Sequence, residues 1–270
     1  MINWLTHWRL ARDPFSKEID AGELWLPSRK AEYVDRLADA VQARTSALLV
    51  GEPGVGKTCM LRALRHRLPE AGYRLTYCHN ATLGRRDFYR QLCSALGLQP
   101  KSSAAAVFAQ VSSHVQDLGQ EHIHPVLLLD ESHLLQQDVL DHLHILLNFA
   151  WDARALLSVV LVGLPELWDQ LELRRNRSLY SRLGTRLLIG ANSPEDTAEY
   201  VAYRLSTAGR AGPPVFEASA MLLLHESTGG SLRAIDRLSR LALQHSARDG
   251  RETIDADLMQ GAIGQDTRQG

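Results

Sequence analysis

Short apolar runs alternate with amphipathic stretches through the first two thirds of the chain. The runs at 47–50, 74–78, 126–129, 157–162 and 187–189 have the length and composition of buried strands. Helical periodicity separates them over 58–68, 86–96, 105–118, 134–148 and 165–171. Strands that alternate with helices predict an α/β domain, built on a five-stranded parallel sheet with helices on both faces.

The pattern changes after Ile189, where the strand-like runs stop. Ser193 followed by Pro194 is typical of a helix start. Helical patterns then cover 194–208, 218–227, 232–247 and 255–263. We therefore predict four parts: an aromatic N-terminal segment (1–30) that packs across another surface, the α/β domain (31–191), a small all-helical lid domain (192–265) and a tail (266–270).

Composition narrows the class of protein. Hydrophobic residues make up 45% of the 270 positions and the formal net charge is −1, as in an ordinary globular protein. No apolar run has the length of a membrane span, and no signal-peptide order is present at the N-terminus, so we expect a cytoplasmic protein with no membrane partner. Three scattered cysteines without C-x-x-C spacing argue against a disulfide framework and a cysteine zinc site.

The residues at 51–58, GEPGVGKT, follow the first predicted strand and precede an amphipathic helix. They match the phosphate-loop pattern G-x-x-x-x-G-K-[ST], in which backbone N–H groups surround phosphate oxygens. We expect Lys57 to contact the β- and γ-phosphates of ATP and Thr58 to ligate Mg²⁺. The predicted nucleotide-binding residues of this segment are Gly51, Glu52, Pro53, Gly54, Val55, Gly56, Lys57, Thr58 and Cys59.

A second motif follows the third predicted strand, which ends in Asp130 and Glu131. A buried strand that ends in two carboxylates is a Walker B arrangement. We expect Asp130 to hold the Mg²⁺ shell and Glu131 to polarise the attacking water. His133, two residues after Glu131, is a candidate to relay the state of the nucleotide.

Together the two motifs resemble the AAA+ ATPases, and the resemblance implies further site residues. The sequence GGSLR at 229–233 is similar to the family's sensor 2, which implies that Arg233 reaches the nucleotide phosphates. Arg182 lies where the family carries an arginine finger for the neighbouring subunit's ATP. Other arginines near Arg182 are alternatives for the finger or for contact with DNA phosphate: Arg174, Arg175, Arg177 and Arg186.

The sequence departs from the family after the fourth predicted strand. The family has a polar residue there, called sensor 1, whereas this chain offers Leu164. Glu166 and Ser158 are possible substitutes. The positioning of water, and therefore the rate of hydrolysis, depends on which residue takes this role.

The N-terminal segment carries a more specific resemblance. Trp8-x-Leu10-x-x-Asp13-Pro14-Phe15, followed by WLPS at 25–28, resembles the start of ExeA-like AAA+ ATPases, in which this segment crosses the base of the nucleotide. ExeA itself continues into a membrane segment and a cell-wall-binding region, which this sequence lacks. We therefore expect the transposon-partner type, a group that resembles IstB, TniB, TnsC and MuB.

This resemblance implies a function and partners. It implies an ATPase that binds ATP and Mg²⁺, forms rings or filaments with copies of itself, binds duplex DNA without sequence preference and regulates a DDE transposase. Alternatives are a nucleotide-gated protein-interaction module and a secretion-type ATPase with no role on DNA. Candidate DNA contacts, each of which is also compatible with an ordinary solvated face, are Arg62, Arg65, Arg67, Arg85 and Arg86.

Overall fold

The computed structural model describes residues 3–79, 82–150 and 152–269. Five strands form one parallel sheet in the order β2-β3-β4-β1-β5. The strands are β1 (Ser46–Gly51), β2 (Tyr73–Cys78), β3 (His124–Leu129), β4 (Ser158–Gly163) and β5 (Leu183–Ile189). The predicted α/β class with a five-stranded parallel sheet is confirmed.

Twelve α-helices occur within the described residues. Those before the last strand are α1 (Trp4–His7), α2 (Ser28–Gln42), α3 (Lys57–Arg67), α4 (Arg85–Ala95), α5 (Ala104–Gln120), α6 (Gln137–Leu146), α7 (Glu166–Glu172) and α8 (Arg177–Tyr180). Those after it are α9 (Pro194–Thr207), α10 (Ala218–Thr228), α11 (Leu232–Arg248) and α12 (Ala256–Gln269). None of these helices has both the length and the apolar composition of a membrane span.

The chain divides into two compact units. The sheet unit comprises residues 28–52 and 57–189, and the helical unit comprises 1–27, 53–56 and 190–270. In the sheet unit β1, β3 and β4 are buried along their whole length, because each has a neighbouring strand on both sides. Since β4 lies between β1 and β3 and all three are parallel, the loops that follow them emerge at the same edge of the sheet.

The helical unit has its own hydrophobic core, to which both ends of the chain contribute. Helix α9 begins with a capping box between Ser193 and Asp196, with Pro194 in its first turn, so the predicted start is confirmed. Trp8 and Phe15 of the N-terminal segment are fully buried among the helices that follow residue 190. The indole N–H of Trp8 donates to the carbonyl of Leu243 over 2.9 Å.

Two arginines of the helical unit hold the backbone of the N-terminal segment. Buried Arg204 on α9 donates to the carbonyls of Pro14 (2.6 Å) and Ser16 (2.7 Å). Arg240 on α11 donates to the carbonyl of Phe15 and pairs with Asp13 at 2.8 Å. The aromatic segment at 1–27 is therefore an integral part of the helical unit.

Some element limits differ from the sequence prediction. Strand β5 begins at Leu183 instead of 187, because its first half is an edge segment with partly exposed side chains and shows no apolar run. Helix α6 begins at Gln137 instead of 134, since Ser132–Leu134 forms a separate 3₁₀ turn. Helix α12 continues to Gln269 and includes residues that we assigned to a tail.

Candidate functional site

The phosphate loop joins β1 to α3. Gly54 and Gly56 have φ angles of +82° and +102°, a conformation that side chains with a Cβ atom rarely adopt. Helix α3 begins at Lys57, which is almost completely buried. The Lys57 ammonium donates to the carbonyls of Gly51 (2.6 Å) and Glu52 (3.0 Å), so a positive charge is held against the loop backbone. Val55 is buried and Cys59 is half-buried on α3.

The turn of this loop, residues 53–56, belongs to the helical unit and contacts the start of α11. The backbone N–H of Leu232 donates to the carbonyl of Gly54 over 2.9 Å. A Cβ atom on Gly54 would collide with the hydroxyl of Ser231 and lie 3.6 Å from Cβ of Arg233. The structure therefore places Arg233, the sensor 2 candidate, next to the turn of the phosphate loop.

Asp130 follows β3 and is buried with both carboxylate oxygens in use. Its Oδ1 accepts the backbone N–H of Glu131 at 2.9 Å. Its Oδ2 accepts the phenol of Tyr77 at 2.9 Å and lies 3.4 Å from the hydroxyl of Thr58. The two residues predicted to hold Mg²⁺ are thus in direct contact.

The donor set fits magnesium. Among the described residues no group of three or more His, Cys, Asp or Glu side chains could hold a metal ion. A cation at Thr58 and Asp130 would therefore take one hydroxyl and one carboxylate from the protein and its other oxygen ligands from phosphate and water. Mg²⁺ is usually bound in this way, through few protein carboxylates.

Sequence reasoning missed Tyr77. It is the second-last residue of β2 and pairs in register with Leu128 of β3, which brings its hydroxyl to the residue that follows that strand. Partial desolvation of the phenol and the hydrogen bond to Asp130 raise the pKa of Tyr77 above its ordinary value, so the phenol stays protonated and donates. The only signal in the sequence for this contact was a tyrosine near the carboxyl end of a predicted strand.

Glu131 adopts a left-handed backbone conformation with φ +55° and ψ 33°, which is unusual for a residue other than glycine. Its carboxylate is half-exposed, and one oxygen lies 3.6 Å from Nε2 of His133. On the other side of the ring, Nδ1 of His133 accepts the backbone N–H of Leu164 at 3.4 Å. The imidazole thus lies between Glu131 and the residue that follows β4.

The two substitutes considered for sensor 1 lie at opposite ends of β4. Ser158 is the first residue of β4, at the strand end opposite to Asp130, and its hydroxyl contacts Nε2 of His124 at 2.9 Å. Burial lowers the pKa of His124 to about 4, so this pair is a neutral buried contact. Ser158 was a wrong candidate, because the parallel register puts it at the far edge of the sheet. Glu166 begins α7 and is exposed.

Arg182 lies between α8 and β5, and contacts within the sheet unit hold its guanidinium. It donates to the carboxylate of Asp152 (3.0 Å) and to the carbonyl of Ser178 (2.9 Å). Arg186 stacks on the ring of Tyr180, 3.8 Å from its centroid. The three other arginines of this region are exposed: Arg174, Arg175 and Arg177.

The candidate DNA contacts fall on two helices of the sheet unit. Arg85 and Arg86 begin α4 and are exposed, although Arg85 contacts His142 at 2.6 Å and Arg86 donates to the carbonyl of Ser102 at 3.1 Å. Arg65 and Arg67 are exposed on the last turn of α3, where Arg67 pairs with Asp35 at 2.6 Å. Arg62, on the same helix, is half-buried.

Comparison with known proteins finds similarity to a known domain type. Residues 39–171 match the model of an AAA domain. The matched residues include the phosphate loop, Asp130 and Glu131. The chain is also similar to the general secretion pathway protein A of Aeromonas hydrophila, with 30% identity over 253 residues. That alignment covers 92% of this chain and 46% of the relative, so the chain spans about half of the relative's length.

Solved structures share the fold. The structure of Drosophila ORC bound to DNA superposes with a TM-score of 0.70 at 21% identity, over 95% of this chain and 65% of that one. Cdc6p from Pyrobaculum aerophilum gives a TM-score of 0.67 at 15% identity, over 87% of this chain and 68% of that one. At these identities the comparison establishes the AAA-type P-loop fold.

Proposed function

We propose that the protein hydrolyses ATP, and that it uses ATP binding to assemble on duplex DNA and regulate a DDE transposase. The match of residues 39–171 to an AAA domain supports the ATPase activity. The ATPase part is supported by the convergence of Lys57, Thr58 and Asp130 at one edge of the sheet. The assembly and the partners rest on the family resemblance. We place the activity in the cytoplasm.

Each residue of the proposed ATPase site has a role that follows from its chemistry. Lys57 supplies a buried positive charge to the β- and γ-phosphates, and it would exchange the carbonyls of Gly51 and Glu52 for phosphate oxygens. Thr58 and Asp130 would hold Mg²⁺, which neutralises phosphate charge when bound. Glu131, half-exposed beside Asp130, orients the attacking water and accepts its proton.

Two arginines are proposed to link the site to assembly. Arg233 lies beside the turn of the phosphate loop and would contact the γ-phosphate. Arg182 would complete the site of a neighbouring subunit, and to do so its guanidinium must exchange Asp152 for phosphate. Sharing of a site between subunits makes ATP binding and oligomerisation mutually dependent.

The proposed DNA binding is supported by two observations. A protein of the same fold has been solved bound to DNA, Drosophila ORC. In this chain Arg85 and Arg86 are two consecutive exposed arginines at the start of α4. Contacts of arginine with the phosphate backbone require no base recognition, so we propose binding without sequence preference.

The experiment measures the affinity of the purified protein for a fluorescent duplex in ATP and Mg²⁺, across a salt series. We expect salt-sensitive binding with ATP and much weaker binding without nucleotide. R85E/R86E should abolish DNA binding and leave ATP binding intact. R29E/R36E makes the same change in charge at two exposed arginines of α2 and serves as the control. Absence of salt-sensitive DNA binding in the wild type contradicts the DNA part of the proposal.

Hydrolysis is tested separately, with E131Q. This variant keeps the shape of the side chain and removes the base, so it should bind ATP normally and turn it over about 10²- to 10⁴-fold more slowly. E70Q, at an exposed position outside the site, should match the wild type. Wild-type turnover in E131Q would exclude Glu131 from this role, and K57A should lose ATP binding altogether.

A second candidate function is a secretion-type ATPase or nucleotide-gated interaction module that acts on a protein complex and not on DNA. It is favoured by the 30% identity to a general secretion pathway protein. ATP-dependent oligomerisation without any affinity for DNA in the experiment above would support this candidate.

A further inference from the structure

The contacts of His133 determine where its ring carries hydrogen. The backbone N–H of Leu164 can only donate, so Nδ1, which lies 3.4 Å from it, must accept. In the neutral ring the hydrogen is then on Nε2, the atom that faces Glu131. A donor is thus directed at the carboxylate oxygen of Glu131, 3.6 Å away.

The turn that carries His133 is rigidly connected to the end of β3. The hydroxyl of Ser132 donates to the carbonyl of Leu129 at 2.7 Å, and the backbone N–H of Leu134 donates to the carbonyl of Glu131 at 3.0 Å. Glu131 itself has a left-handed conformation, and its backbone N–H donates to Oδ1 of Asp130. With the backbone fixed, the half-exposed Glu131 carboxylate retains freedom only in its side-chain torsions.

Gly163, the last residue of β4, makes room for this arrangement. A Cβ atom at position 163 would lie 3.1 Å from the backbone nitrogen of His133 and 3.2 Å from its Nδ1, closer than most real contacts of a Cβ atom. The glycine thus permits the end of β4 to approach the ring. Leu164 has no polar side chain, but its backbone N–H donates to the imidazole of His133, whose other nitrogen faces Glu131.

We propose that His133 is a positioning residue for Glu131, which connects the catalytic carboxylate to the carboxyl end of β4. The ring supplies a polar contact at the position after β4, where the side chain of Leu164 is apolar. The ring orients the carboxylate of Glu131 towards the attacking water. It also makes the orientation of this carboxylate depend on the position of the carboxyl end of β4. This role rests on the proposed ATP hydrolysis and goes beyond it by assigning a residue that orients the base.

Three variants separate the two contacts of the ring. H133A removes both contacts. The amide of H133N reaches only as far as Nδ1, so it preserves the contact with Leu164 alone. The amide of H133Q reaches as far as Nε2 and presents an N–H donor to Glu131. H66A, at an exposed histidine of α3, is the control.

The measurements are steady-state hydrolysis, ATP affinity and melting temperature of each variant. We expect kcat of H133A to fall about 10- to 100-fold, as on loss of other orienting contacts, with KM for ATP changed by no more than about twofold. H133Q should recover much of the lost kcat and H133N little of it. In an E131Q background, H133A should cause no further loss, because the carboxylate that it orients is absent.

Other outcomes overturn the proposal. Wild-type kcat in H133A or H133N shows that no donor to Glu131 is needed. A parallel loss of kcat and melting temperature, equal in H133N and H133Q, shows that the ring only stabilises the fold. A wild type that binds ATP without hydrolysing it refutes the proposed hydrolysis first, and the role of His133 with it.

Discussion

The phenol of Tyr77 donates a hydrogen bond of 2.9 Å to Oδ2 of Asp130. The same oxygen lies 3.4 Å from the hydroxyl of Thr58, the other proposed Mg²⁺ ligand. Tyr77 therefore contacts a proposed metal ligand from the neighbouring strand without being a proposed ligand itself. Loss of a residue that orients a metal ligand typically lowers metal affinity about 10- to 100-fold.

The first prediction follows from this contact. Y77F removes only the hydroxyl, so Asp130 loses one of the groups that orient it. The Mg²⁺ concentration that gives half-maximal ATPase activity should rise about tenfold. Y73F, a matched change at the start of the same strand, should leave it unchanged. An unaltered Mg²⁺ dependence in Y77F would mean that Asp130 needs no support from β2.

The second prediction concerns the turn of the phosphate loop. G54A places a Cβ atom against Ser231 and forces a non-glycine residue to φ +82°, which costs about 1–2 kcal/mol. ATP affinity, measured by calorimetry, should fall about tenfold or more. G72A is the control, because a Cβ atom there meets no atom within 4 Å.

A second variant separates the two costs of G54A. G54A/S231G removes the collision and retains the backbone strain, so it should recover only part of the affinity. Full recovery would show that the positive φ contributes nothing, and no recovery would show that the contact with Ser231 is irrelevant.

The third prediction tests whether Arg182 acts on a neighbouring subunit. R182A should bind ATP and lose about 10³-fold in turnover. An equimolar mixture of R182A and E131Q, each almost inactive alone, should regain activity, because an R182A site can receive the finger of an E131Q neighbour. R186A, whose arginine stacks on Tyr180, is the comparison. A mixture as inactive as its components places the action of Arg182 within its own chain or removes it from catalysis.

The fourth prediction is a pH dependence in the helical unit. Burial raises the pKa of Asp236 to about 6, although the hydroxyl of Tyr200 and the guanidinium of Arg204 oppose the shift. The folded state thus prefers the protonated carboxyl. The stability that proton binding contributes is fully present below the ordinary pKa of 3.8 and is lost as the pH rises through about 6.

D236N keeps an acceptor for Tyr200 and cannot ionise. Its free energy of unfolding relative to the wild type should therefore increase from pH 4 to pH 7, by up to about 3 kcal/mol from the cited shift. Denaturant titrations at the two pH values measure the difference. D249N, at an exposed position after α11, should show no such change. Parallel pH profiles for D236N and the wild type would contradict the shift.

The sequence predicted the parts of this site that are contiguous in the chain. The phosphate loop and the Asp130-Glu131 pair are local patterns with fixed chemistry, and the structure places them where a parallel sheet requires. Strand β5 was only half recognised, because an edge strand with partly exposed side chains lacks an apolar run.

Contacts between separate loops could not be predicted. The approach of Tyr77 to Asp130 depends on the register of β2 against β3, and that of His133 to Leu164 depends on β4 lying next to β3. No local pattern encodes either arrangement. Ser158 was chosen for its polarity alone, and only the direction of β4 shows that it lies at the wrong end.

The hydrogen bond between Trp8 and Leu243 joins residues 235 positions apart, so it forms only after nearly the whole chain has been synthesised. The residues of the sheet unit, 28–52 and 57–189, are synthesised before α9 to α11, so this unit can begin to fold while translation continues. The aromatic segment at 1–27 is made first, yet its burial must wait for the helices that are made last. Until then Trp8 and Phe15 remain exposed on the nascent chain, where a chaperone can bind them.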